Sequence, residues 1–150
     1  MVIEFGQLNK VQREVIEGYS TGAFQAINPY LRNDIKFDFL GDIAWNVEIM
    51  DSIFNLSPKR PNPLILYRGT KNNDTFKSAV FTEKAYMSTS IREDIARKKE
   101  FLHPENGILL KIHLQCSNIK LLGIDGKIEE SEYLIPRNTS FKVLYRGEEM

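Results

Sequence analysis

The chain has very little soft-metal or redox chemistry available to it. Cys116 is its single cysteine, so no disulfide can form within the chain and the fold must stand on packing. His103 and His113 are its two histidines, and with one thiol they match no familiar zinc spacing, so no metal site is expected. Charge of a prevailing sign is missing as well: 20 Lys and Arg balance 20 Asp and Glu. Bulk electrostatics therefore give no reason to expect nucleic acid or an anionic membrane as a partner. Basic pairs such as Lys59-Arg60 and Lys98-Lys99 read as solvated surface. No apolar run approaches the ~18 residues that span a bilayer. The stretch 1–10 carries an acid and lacks an apolar h-region, so it does not read as a signal peptide. The expectation is a soluble protein. There is no internal repeat and no low-complexity stretch.

What is present suits one globular domain over residues 1–150. The 42 % hydrophobic and 27 % charged content argues against disorder, and a chain of this length buries roughly 70 % of its unfolded surface. The first third reads helical. Val11, Val15, Ile16 and Tyr19 fall on one face, and Gly18 with Ser20-Thr21-Gly22 marks a stop. A second helix is expected over 23–31, and Ile43, Val47, Met50 and Phe54 give a third stripe at helical spacing. Ser57-Pro58-Lys59-Arg60-Pro61-Asn62-Pro63 is a loop, because its three prolines cannot continue a helix. Beyond it the period changes to two, predicting strands over 64–68, 85–89 and 108–114. Strands over 130–135 and 141–145 flank Pro136-Arg137-Asn138-Thr139, which reads as a hairpin turn. Helices first and a β-rich half after them predict an α+β fold.

Three segments of the β half depart from what inert strands need. In Leu64-Ile65-Leu66-Tyr67-Arg68-Gly69-Thr70, an Arg closes an apolar strand and Gly follows. Leu64, Leu66 and Arg68 share a strand face, and an Arg there wants a fixed anion, its planar fork suiting phosphate. Gly69 lets a ligand approach the backbone. A salt-bridged strand-end Arg would explain the same residues. In Tyr86-Met87-Ser88-Thr89-Ser90, alternation puts Tyr86, Ser88 and Ser90 on one face, where Ser88 can orient a carboxylate or a sugar hydroxyl. Ser90-Ile91-Arg92-Glu93 reads as a capping box for the next helix. In Glu129-Glu130-Ser131-Glu132-Tyr133-Leu134-Ile135-Pro136, Glu130 and Glu132 stand at i and i+2, so both carboxylates point to one side, roughly 7 Å apart. Like charges there weaken a strand unless a cation sits between them, although an acidic strand start can also serve to limit edge pairing.

Taken in this order, Arg-Gly on a strand, an aromatic-apolar-Ser-Thr-Ser and a Glu-x-Glu before Leu-Ile-Pro, the chain resembles the mono-ADP-ribosyltransferase family. It is most similar to the bacterial exoenzyme toxins of the clostridial Rho-modifying and actin-modifying kind. Glu17-Gly18-Tyr19-Ser20-Thr21 and Ile27-Asn28-Pro29-Tyr30-Leu31-Arg32 resemble the family's N-terminal half, so the likeness covers nearly the whole chain.

The resemblance implies N-terminal helices packed on two small, largely antiparallel β-sheets with NAD in a cleft between them. It implies that Arg68 holds the NAD phosphates and that Gly69 offers its backbone to the nicotinamide amide. Ser88 orients the catalytic carboxylate, with Thr89 and Ser90 supporting the strand and turn. Glu132 is the catalytic glutamate, and Glu130 selects and activates the acceptor. The loop Gly123-Ile124-Asp125-Gly126-Lys127-Ile128-Glu129 reads a target protein, and Arg92, Arg97 and Phe101 lie where the family has a mobile loop. NAD is a substrate and no metal is needed, because nicotinamide is already a good leaving group. Glu at both acidic positions implies transfer to arginine in a toxin or effector acting in a target-cell cytoplasm, for which an immunity or antitoxin protein is a further partner. The rival readings are another acceptor (asparagine, a nucleic-acid group or water) and a catalytically silent NAD-binding module. The chain departs from the family in ending soon after Val143 and in having Asn138 where Gly is common.

Overall fold

Asn9 starts the first helix. Its side-chain oxygen accepts the Gln12 N–H at 2.8 Å while Gln12 Oε1 accepts the Asn9 N–H at 3.0 Å, a reciprocal cap that satisfies two donors a helix start leaves open. In the computed structural model, which describes residues 8–32, 42–56, 64–72, 74–98, 102, 104–114, 122–123 and 132–147, α1 (Lys10–Gly18) buries Val15 and Ile16. Val11, one turn earlier, stays 41 % exposed. The expected stop at Gly18-Gly22 is instead a kink. Tyr19–Ala23 continue as a π-helical turn that buries Tyr19, and α2 (Phe24–Leu31) follows directly. In α3 (Asp42–Leu56), Val47, Met50, Ile53 and Phe54 are buried and Ile43 packs beside them, the stripe the spacing predicts.

The β half comprises β1 (Leu64–Lys71), a 3-10 turn (Asp74–Lys77), β2 (Val80–Glu83), β3 (Met87–Ser90), α4 (Glu93–Ala96), β4 (Gly107–Leu114), β5 (Leu122–Gly123), β6 (Glu132–Ile135) and β7 (Thr139–Lys142). Five strands form one antiparallel sheet in the order β4-β1-β3-β6-β5, and β2 pairs with β7 in a second. The architecture is therefore the expected α+β one. The 57–63 loop lies outside the described residues.

Two local expectations are corrected. Pro136-Arg137-Asn138-Thr139 is not a hairpin, because β6 pairs with β3 and β5 while β7 pairs with β2. The turn carries the chain from one sheet to the other through Asn138 at φ 63°, a left-handed conformation that Asn tolerates better than most residues, and the Asn138 N–H is held by the Glu83 carbonyl at 2.8 Å. The strand after it stops at Lys142 rather than 145. Nor does Ser90 close a capping box: α4 begins at Glu93 with Arg92 as its N-cap, and Ser90 Oγ accepts the Arg92 N–H at 3.0 Å, a two-residue turn that competes with the box.

Alternation along β3 and β6 divides the interior. Tyr86 and Leu134 join the helical core with Ile16, Tyr19, Ile27, Met50, Ile53 and Phe54. Met87 and Ile135 point the other way, into a second cluster with Leu66 and Ile112, against which Phe141 of β7 packs. The five-stranded sheet is thus covered by helices on one face and meets the second sheet on the other. Among the described residues, no helix is long and apolar enough to cross a membrane.

Candidate active site

Strand register brings the expected groups together. Ser88 stands opposite Leu134 and Ser90 opposite Glu132, so Ser88 and Glu132 are diagonal neighbours on the face that carries Tyr86 and Leu134. Ser88 Oγ donates to Glu132 Oε2. Thr89 points away from this pair, is buried, and donates its hydroxyl to the Tyr133 carbonyl at 2.7 Å, tying β3 to β6. Ser90, opposite both Tyr67 and Glu132, shapes the turn into α4. Thr89 and Ser90 therefore sit where strand and turn support falls to them.

Arg68 reaches the site from β1. Its NH1 donates to the Ser88 carbonyl at 2.8 Å, which locks the guanidinium to the strand bearing the hydroxyl. Among the described residues its other N–H donors have no hydrogen-bond partner, so most of the fork is left for an anion. Burial, and then the neighbouring Arg32, draw this guanidinium below its ordinary range, with Glu83 opposing; an arginine nevertheless remains cationic. A half-buried, strand-anchored guanidinium with donors to spare fits the phosphates of a dinucleotide.

Gly69 has a use the sequence does not suggest. A side-chain carbon there would overlap the Ala96 carbonyl oxygen at the end of α4 and lie 3.0 Å from the Leu102 nitrogen. In the direction a side chain would take, the missing side chain allows close packing of Ala96 and Leu102 onto β1. Backbone atoms can yield only by moving the segment, so Gly69→Ala is expected to cost about 1–3 kcal/mol, read as a lower denaturant midpoint. An unchanged midpoint would show that the contact is slack.

The helical layer supplies groups the strand pattern could not announce. Tyr19, in the π-helical turn, lies edge-on to Tyr86 with ring centroids 5.7 Å apart, and its hydroxyl exchanges hydrogen bonds with the Asn28 amide at 3.0 and 3.2 Å. Burial pushes the Tyr19 phenol up to about 12; the Asn28 hydrogen bond pulls the other way, and the charge of Glu132 adds to the rise. Tyr19 is therefore a neutral hydroxyl facing the field of Glu132 and Arg68. Arg32, at the end of α2, makes a two-point ion pair with Glu83 at 2.9 and 3.2 Å, and Glu83 also accepts the Ala85 N–H. Only contacts between distant elements reveal these roles.

Several expected residues add no geometry here. Glu130 and Phe101 lie outside the described residues, as does the recognition loop beyond Gly123. Arg92, before α4, is paired with Asp94, and Arg97, after it, with Glu93.

Residues 4–149 match the profile of the ADP-ribosyltransferase exoenzyme family. A curated relative, Vis of Vibrio splendidus (strain 12B01), bears the name of an NAD(+)–arginine ADP-ribosyltransferase and is 24 % identical over 145 residues, covering 88 % of this chain; the chain spans 57 % of that relative's length. Among solved structures, exoenzyme S of Pseudomonas aeruginosa, in complex with human 14-3-3 protein beta and bound to carba-NAD, aligns with a TM-score of 0.74 at 18 % identity, over 94 % of this chain and 68 % of the other. Vis in complex with agmatine aligns with a TM-score of 0.69 at 23 % identity, over 92 % and 68 %. The enzymatic component C2-I of the Clostridium botulinum C2 toxin aligns at 0.72 and 20 % identity, over 92 % and 38 %. These structures share the fold, and the match along 4–149 shows that the chain belongs to the ADP-ribosyltransferase exoenzyme family.

Proposed function

We propose that the chain is an NAD-dependent mono-ADP-ribosyltransferase that releases nicotinamide and transfers ADP-ribose to arginine on a target protein, as a toxin or effector. The observation that carries the reading is the hydrogen bond of Ser88 to Glu132 beside Arg68, with three adjacent strands each supplying one group. NAD is the substrate. The Arg68 fork would bind its phosphates, and the Ser88 hydroxyl would hold Glu132 in one orientation toward the ribose.

Breaking the bond between ribose C1′ and nicotinamide sends the electron pair out with the leaving group and builds positive charge on the ribose, as in glycoside cleavage. A preorganised carboxylate facing that charge lowers the barrier electrostatically. The acceptor nitrogen then bonds to C1′ and gives up a proton. Glu130, two residues before Glu132, would take that proton from a guanidinium that is otherwise charged at neutral pH. The Vis complex with agmatine, a small guanidino compound, supports arginine chemistry for this acceptor. The loop Gly123-Ile124-Asp125-Gly126-Lys127-Ile128-Glu129 would face the target, and an immunity or antitoxin protein would be a further partner.

Incubation with NAD labelled in the adenylate, with and without agmatine, tests the reading. Label on agmatine, with release of nicotinamide, is the expected outcome. Nicotinamide release with label only on free ADP-ribose would mean that the acceptor is not arginine, leaving another acceptor or NAD glycohydrolysis, and no release at all would remove the enzyme reading.

A further inference from the structure

Asp51 is an ordinary-looking acid on α3, yet its carboxylate collects donors from two distant elements. Tyr86 Oη donates to Asp51 Oδ1 at 2.7 Å. Arg137 Nε and NH2 each lie 2.9 Å from Oδ2, with Nε also 3.2 Å from Oδ1. Tyr86 is the residue immediately before β3, and Arg137 is the second residue after β6. Those are the two strands that carry Ser88 and Glu132.

The Tyr86 end is rigid. Its ring is buried, stacks on Phe54 with centroids 5.6 Å apart and lies edge-on to Tyr19, while its hydroxyl also sits 3.2 Å from the Val47 carbonyl. The Arg137 end is held by a two-nitrogen fork, which fixes direction as well as distance. One carboxylate on a helix thus ties the same end of both strands, beside the Met87–Ile135 pair and one step from Ser88–Leu134. That register decides where Ser88 Oγ meets Glu132. The Arg137 and Asp51 side chains are 34 % and 36 % exposed. Water screens such a pair, so it adds little to global stability and what it contributes is geometry.

We infer that Asp51 is a positioning residue: by clamping Tyr86 and Arg137 it fixes β3 against β6, so that Ser88 and Glu132 meet in the arrangement that NAD cleavage requires. The inference rests on the proposed roles of Ser88 and Glu132. It extends the site to three residues that touch neither group, each acting through a strand.

Two variants of the full chain test it. Asp51→Asn keeps the shape but loses the charge that holds both donors, and Tyr86→Phe removes one hydroxyl while keeping the ring stack. Each should lower kcat for nicotinamide release about tenfold, since small misplacements of reacting groups are costly, with KM for NAD within about twofold because Arg68 is untouched. The double variant should lose little more than either single one, since both open the same clamp. Amide hydrogen exchange should rise about tenfold over 87–90 and 132–135, while 64–71 and 107–114 in the same sheet keep wild-type protection. A lowered melting temperature with unchanged kcat, or exchange rising equally across the sheet, would overturn the inference and leave Asp51 as a stabilising contact. Should the wild-type protein release no nicotinamide, the enzyme reading fails by itself, and the exchange pattern still decides whether Asp51 sets the β3–β6 register.

Discussion

Glu132→Gln is expected to cut nicotinamide release by about a hundredfold or more, of order 3 kcal/mol in the barrier, while the protein stays folded. Glu132 opens β6, where its backbone pairs with Ser90 and its carboxylate accepts the Ser88 hydroxyl. Glutamine preserves the length, the strand pairing and an acceptor oxygen for Ser88. What it removes is the negative charge proposed to face the ribose. Its neighbours do not replace that charge: Tyr19 remains a neutral phenol, Arg68 carries the opposite sign, and Glu83 is committed to Arg32. The measurement is initial-rate nicotinamide release beside a thermal melt of the same sample. Release at the wild-type rate from a folded variant would dismiss Glu132 as the catalytic acid, and a collapsed melt would show that its role is structural.

The parts of this arrangement that can be read without coordinates are those built by local periodicity. Helical spacing marks Val47, Met50 and Phe54 as core, and alternation in Tyr86-Met87-Ser88 sends neighbouring side chains into different clusters, as found. Those patterns suffice to place Ser88 and Glu132 on strands. They do not say which strands pair, and so Pro136-Arg137-Asn138-Thr139 reads as a hairpin although its flanking strands belong to different sheets. Val80-Phe81-Thr82-Glu83 escapes notice for a related reason, since four residues give too short a run for alternation to stand out. Gly69 and Asp51 lie further out of reach. The use of Gly69 depends on where the Ala96 carbonyl falls, and that of Asp51 on partners 35 and 86 residues away in the chain. Local sequence carries no signal for either.

Glu130→Gln is expected to separate two activities that Glu132→Gln removes together. With Glu132 and Ser88 intact, the charge that develops on the ribose is still met, so slow hydrolysis of NAD to water should persist within a few-fold of wild type, on the order of 1 kcal/mol or less in the barrier. Transfer to a guanidino acceptor such as agmatine should fall by about a hundredfold or more, within the range that a positioned base contributes. The asymmetry follows from the acceptors. Arginine presents a cation with pKa above ~12, which must be oriented and relieved of a proton as its nitrogen attacks, whereas water arrives neutral and needs no partner of opposite charge. The i, i+2 spacing of Glu130 and Glu132 in the sequence, which would put both on one face of an extended strand, is what would let the first serve the acceptor while the second serves the donor. Two assays on one variant decide the matter: nicotinamide release without acceptor, and label transfer with agmatine present. Joint loss of both would assign Glu130 to the NAD site itself. Full retention of both would mean that the acceptor is not arginine, and asparagine or a nucleic-acid group would then be the acceptor to assay.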